Sequence, residues 1–237
     1  MWIKNERTYI MEQTEVNTDT DVLALRQRQK GVWKFLLTNT TLLTNYWAFF
    51  VFGYFLFFFM AWLPAYLEHQ YHLNLTQVGL FSILPWAVAA LLLWAVGYLS
   101  DYLFRTTACL RYARTYPIAA MQLLAAICVV PIIYSHHIIV TIIFLSLAIG
   151  FSMGSNAPFY AVIADIAKAR AGTALGIMDS TFAFAGFLAP ALTGYAVEKT
   201  GSFTSPFIIL AVLALSSVIL MLAFHRPDQC KKLDEII

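Results

Sequence analysis

The sequence predicts an all-α membrane protein of six transmembrane helices. Two observations carry that prediction. The 237 residues are 60% hydrophobic and only 12% charged, against roughly 45–50% apolar and about 25% charged in a soluble domain. The apolar residues also gather into long runs, each able to cross a hydrocarbon core about 30 Å thick. The runs are too long for strands and show no alternation. Backbone inside lipid must satisfy its own hydrogen bonds, which leaves helices. Such a composition argues against a soluble enzyme, and a net charge of +2 is too small to point to nucleic acid.

Residues 1–43 are polar and mixed in charge and read as a cytoplasmic lead-in. They lack the basic and then apolar order of a signal peptide. Asp19 or Thr20 could cap a short amphipathic helix there. The six runs follow at Thr44–Leu67, Val78–Ser100, Tyr116–Tyr134, Ile138–Ile163, Ala171–Val197 and Phe203–Phe224. The core domain is therefore 44–226, with a tail at 227–237. The fourth and fifth runs are separated by a short polar stretch at Asp165–Arg170, which reads as a tight hairpin.

Charge predicts orientation. Fourteen of the 15 Lys/Arg residues fall in the lead-in, the second-to-third loop, the fourth-to-fifth turn and the tail; Lys199 alone falls opposite. Cationic loops stay in the cytoplasm, so both termini are expected there, in a multi-pass protein of the cell membrane with the lipid bilayer as its first partner. Cys109, Cys128 and Cys230 have no metal-ligand spacing, and neither metal nor cofactor is called for.

Several polar positions stand out. Gly97-Tyr-Leu-Ser-Asp101-Tyr-Leu-Phe-Arg105 lies at the exit of the second helix. Gly97 permits close helix approach. Asp101 can face the positive N-terminus of a neighbouring helix, and Arg105 is four residues on, within ion-pair reach. The pair could act as a conformational latch; the alternative is a generic charged loop. Asp165 and Arg170 could form a second latch or a plain surface pair.

Asp179 is the one acidic residue deep in a span. A carboxylate there costs about 2.5–3.5 kcal/mol on insertion scales, so it should carry a proton, face a cavity or have a partner. It reads as a residue of the substrate or proton pathway, against a structural hydrogen-bonded Asp. It shares a stripe of small residues with Gly172, Gly176, Ala183, Gly186, Pro190 and Gly194. The fourth helix carries Ser152, Ser155 and Asn156 beside Gly150, Gly154 and Pro158. Broken helices mark binding sites in transporters, while small and hydroxyl residues also serve as helix–helix glue. Tyr54 and Trp62 on the aromatic first helix have polar handles that want partners, and Gln122 is a further buried polar residue.

Gly150-Phe-Ser152-Met-Gly154 matches the G-x-S-x-G nucleophile elbow. An activated serine needs a base within reach, and all five histidines lie in loops or at a span end. The sequence therefore reads as a non-enzyme. Asn39-Thr-Thr41 and Asn74-Leu-Thr76 match the glycosylation pattern only weakly.

The segment Gly97–Arg105 resembles the G-x-L-x-D-x-x-x-R signature of the major facilitator superfamily, with Tyr102 and Phe104 departing from its fuller form. Tyr54–Leu67, ending W-L-P-A-Y-L, Ala164–Asp179 and Gly186–Tyr195 are similar to the seventh helix, the tenth-to-eleventh connection and the eleventh helix of the anion:cation symporter branch. Trp2-Ile-Lys-Asn-Glu6 looks like the end of a sixth helix. The resemblance implies the C-terminal six-helix half of a twelve-helix transporter. It implies proton-coupled symport of a small organic anion, with Asp179 where a polar substrate-site residue, often Asn, is usual. No Lys or Arg lies inside an apolar span, and an anion needs cationic or strong donors. The cationic ligand is then expected from an N-terminal half or a homodimer partner. The alternative is a truncated or degenerate half that only binds or interacts in the membrane.

Overall fold

The computed structural model describes residues 31–135 and 137–228. The chain divides into two units, Met1–Thr38 and Asn39–Ile237. In the first, residues 31–38 are helical. Expectations on residues 1–30, His136 and 229–237, including the Asp19/Thr20 cap, lie outside the described residues.

The second unit is a bundle of helices, with no strand among the described residues. Helix α1 spans Thr40–Tyr71, α2 Leu75–Thr107, α3 Tyr116–Tyr134, α4 Ile138–Gly154, α5 Asn156–Ala167, α6 Ala171–Thr200 and α7 Thr204–Phe224. A π-helical turn, Arg111–Thr115, leads into α3, and a 3₁₀ turn, Lys168–Arg170, joins α5 to α6. Five stretches are long and apolar enough to cross a membrane, and the fourth of them is the 63-residue stretch Ile138–Thr200. At about 1.5 Å per residue that stretch would be three times too long for one crossing. It reverses at Lys168, whose φ of 46° is left-handed, so Tyr160 and Asp179 meet across the turn. The stretch thus makes two passes, and the bundle six.

Caps fix several helix ends. Asn39 accepts from the backbone N–H groups of Thr41 and Leu42 to start α1. Asn74 and Gln77 form a reciprocal capping box that starts α2. Both asparagines of the glycosylation-like triplets are therefore helix caps. The α4–α5 break falls at Ser155, where Pro158 has no N–H to give to Gly154. The fourth run is thus two helices rather than one, and α1 and α2 extend beyond the apolar runs that predict them.

Hydrogen bonds gather the helix ends into two layers. At the end rich in Lys/Arg, called here the basic end, Arg114 before α3 reaches Asp101 on α2 and Asp165 on α5. Thr115 meets His225 after α7, and the Arg226 N–H donates to Thr41 on α1. At the opposite end Tyr71 of α1 reaches Ser135 and Thr141, and Tyr66 packs on Phe203, just before α7, and on Phe207 within it. Successive passes therefore alternate in direction.

Helix α1 is the centre of this bundle. Its aromatics pack inward: Phe49 meets Phe159, Tyr160 and Phe182, and Phe58 meets Phe207. The most apolar window of α1 is 56% buried, that of α2 only 17%. Helix α2 exposes Leu80, Leu91, Trp94 and Tyr98, and α6 exposes Phe184, Phe187 and Tyr195. Glycines set the tight contacts. A Cβ on Gly150 would come within 2.8 Å of Val88 and Leu92, and one on Gly186 within 2.9 Å of Phe57. The G-x-x-x-G of α4 is thus the seat of α2.

Candidate functional site

Two sets of polar residues emerge, one at the basic end and one within the spans. The first is built around Arg114, which lies in the π turn. Its Nη1 donates to Asp101 Oδ1 at 2.9 Å and to Ser100 Oγ at 2.5 Å, and its Nε donates to Asp165 Oδ2 at 3.2 Å. Ser100 Oγ in turn donates a hydrogen bond to the Ala113 carbonyl at 2.7 Å. The guanidinium also sits 5.3 Å from the Phe104 ring centroid. The Arg114 side chain is 7% exposed, while that of Asp101 is 63% exposed. One cation thus holds two carboxylates from two helices, and a third N–H goes to a hydroxyl.

The pairing differs from the sequence expectation. Asp101 is bonded to Arg114 and not to Arg105, which is exposed. Asp165 is bonded to Arg114 as well, across 51 residues, where the expected partner was Arg170. The basic residues of the second-to-third loop are alike in type, and Arg114, within the π turn, is the one that reaches both carboxylates. Gly97 sits where a Cβ would lie 3.3 Å from Ala157, so it lets α2 approach α5 beside this network.

The second set lies along α1, α5 and α6. Tyr160 donates to Asp179 Oδ1 at 3.3 Å, on the exposed side of the α5–α6 hairpin. Asn156, one turn before Tyr160, shares its face, and Asn156 Oδ1 is buried without a protein partner. Ser155 Oγ donates to the Ser152 carbonyl at 2.7 Å, so that hydroxyl is spent on the helix break; Ser152 is buried at the same break. Gln122 donates to the Ala48 carbonyl at 2.9 Å and leaves its Oε1 unpartnered. Tyr54 OH and Trp62 Nε1 are likewise buried without a protein partner.

The structure joins Tyr160 to Asp179 and sets Asn156 one turn before Tyr160 on α5. It sets Tyr54 and Trp62 two turns apart on α1, and joins Gln122 to α1 from α3. The stripe of small residues on α6 divides in function: Gly186 and Gly194 receive Phe57 and Trp62, whereas a Cβ on Gly172 or Gly176 would meet nothing within 4 Å. Sequence reasoning missed four residues: Arg114 as the hub, Tyr160 as the partner of Asp179, His225, and Asn45. Asn45 is fully buried and bonds to the Phe159 carbonyl and Met178 sulfur. A lone Asn immediately before an aromatic run was the available signal for Asn45.

Residues 108–235, more than half the chain, match the family model of the Major Facilitator Superfamily. The chain belongs to that superfamily and is a multi-pass membrane protein of the transporter class. Among its relatives is the probable sulfoacetate transporter SauU of Cupriavidus necator, 32% identical, the match covering 86% of this chain and 49% of that one. The hexuronate transporter of Bacillus subtilis is 30% identical, over 81% of this chain and 46% of its own. Probable anion transporter 2, chloroplastic, of rice (Oryza sativa subsp. japonica) is 26% identical, over 83% and 35%. The chain thus spans about half the length of the first two relatives. The crystal structure of the peptide transporter POT shares the fold, with a TM-score of 0.59 over 78% of this chain and 38% of that one, at 16% identity.

Proposed function

We propose that this chain supplies the C-terminal six-helix half of a transporter that carries a small organic anion together with protons. The observation that carries the reading is the Tyr160–Asp179 hydrogen bond on the exposed side of the α5–α6 hairpin, with Asn156 one turn before Tyr160 on α5. Asp179 is the acidic residue that lies deep in a span, where a carboxylate is a functional candidate by default, and it is assigned to the proton pathway on that ground. The anion-transporting relatives support the substrate class. The basic end lies on the cytoplasmic side by its Lys/Arg content.

In this reading a second six-helix half docks against α2 and α6 and contributes the cationic ligand for the anion. The unpartnered atoms of Tyr54, Trp62, Gln122 and Asn156 serve the substrate or the water that accompanies it. The Arg114 network locks the basic ends of α2, α3 and α5 together. The exposed carboxylate of Asp101 then latches to a helix end of the second half in one conformation and lets go in the other, with Gly97 holding the helices close. Arg105 and Arg170 flank that contact.

Uptake by proteoliposomes tests the reading, with the chain alone and with a compatible six-helix N-terminal half. The expected result is anion uptake driven by a pH gradient only when both halves are present. Coupled uptake by the chain alone overturns the need for a second half. No uptake with any compatible half, together with specific binding between the halves, favours the second reading of a non-transporting membrane partner.

A further inference from the structure

The segment that leaves α7 folds back over the start of α3 and grips both ends of the π turn that carries Arg114. Asp228 Oδ1 accepts from the Leu110 N–H at 2.7 Å, and its Oδ2 accepts from the Arg111 N–H at 3.1 Å and the Cys109 thiol at 3.2 Å. The Arg111 side chain donates from Nη2 to the Leu222 carbonyl at 3.1 Å. At the other end of the turn, Thr115 Oγ1 lies 2.7 Å from Nδ1 of His225, which is fully buried. A single π turn is a poor structure by itself and persists where its surroundings hold it. Here Arg111 and Thr115, its first and last residues, are held by the chain after α7, and Arg114 lies between them.

We infer that Asp228 is a positioning residue: through the Leu110 and Arg111 amides it fixes the π turn, and the turn seats Arg114 between Asp101 and Asp165. The C-terminal segment thereby governs the network that joins α2, α3 and α5. The functional weight of this inference rests on the latch reading above; the geometric link does not.

Two measurements on the full chain in lipid nanodiscs separate them. The first is the alkylation rate of Cys109 by a maleimide, with Cys230→Ser as background. Asp228→Asn keeps the shape but removes the charge, and it should raise the Cys109 rate about fivefold, the loss expected for a charge-assisted hydrogen bond. Asp228→Glu should restore the slow rate. The second is the distance distribution between spin labels at Tyr102→Cys and Ala164→Cys, in a chain whose native cysteines are replaced. Arg114→Ala should broaden it to longer distances, Asp228→Asn should reproduce most of that change, and the double variant should add nothing. An unchanged Cys109 rate in Asp228→Asn overturns the inference. So does an unchanged distribution in Asp228→Asn when Arg114→Ala broadens it. If Arg114→Ala leaves the distribution unmoved, the latch reading fails instead, recognisable because Cys109 still responds to Asp228→Asn.

Discussion

The basic end and the middle of the spans handle polar groups in opposite ways. At the basic end Arg114, Asp101, Asp165 and Ser100 are joined into one network, and Asp228 holds the Leu110 and Arg111 amides beside it, with Arg111 Nε and His225 Nε2 left without a protein partner. In the spans, Tyr54, Trp62, Gln122 and Asn156 each leave a buried polar atom without a protein partner. A satisfied network rigidifies, and an unsatisfied group costs roughly 1–3 kcal/mol unless something else meets it. In the proposed function the basic end holds the helices together and the mid-span atoms serve the substrate.

The contrast can be broken hardest at its hub. Arg114→Ala leaves two carboxylates facing each other without their cation. Removing one partner of a buried pair costs about 3–5 kcal/mol, but both carboxylates here are partly exposed, so about 2 kcal/mol is expected. The loss should appear in thermal unfolding in detergent; a melting temperature equal to wild type would show the network to be ornamental. Gly150→Leu should come next. Its side chain would drive into Val88 and Leu92, and overpacking of this kind costs about 1–3 kcal/mol. Gly172→Leu, where there is open space, is the matched control and should be near neutral.

Acid should loosen the basic end more gently. Burial, with help from Arg111 and against the pull of Asp228, lowers the His225 pKa from 6.5 to about 3. The folded chain therefore keeps this ring neutral where the loosened chain protonates it. The contribution of His225 is fully present above pH 6.5 and is lost as pH falls toward 3. Melting temperature against pH should show this slope in wild type and a flatter one in His225→Gln. The smallest effect on stability is expected mid-span. Asp179→Asn changes an exposed group and should shift stability by less than about 0.5 kcal/mol, yet remove the pH dependence of uptake once a second half is present. Unaltered pH-dependent uptake would take Asp179 off the proton pathway.

The passes were legible because lipid demands long apolar helices and tolerates nothing else. The break near Pro158 was legible for a similar local reason. The packing of the aromatics on α1 was not, since lipid tails are as apolar as a protein core and hydropathy cannot tell one from the other. Asp101 and Asp165 stood out by type and position, but their shared partner did not. Arg105, Arg111 and Arg114 look alike in sequence, and Arg114, within the π turn, is the one that reaches both. His225 read only as a residue at a span end because nothing local says that the chain turns back onto the start of α3.

The break at Ser155 has a mechanical consequence. A continuous helix behaves as a stiff rod, so a tilt imposed at one end is felt at the other. With no α-helical hydrogen bond from residue 158 and a turn at Ser155, the α4–α5 pass has a compliant joint partway along. Residues 156–167, which carry Asn156, Tyr160 and Asp165, are therefore coupled to α4 through one turn, so the part of the pass tied to Arg114 is mechanically distinct from the part seated against α2 by Gly150.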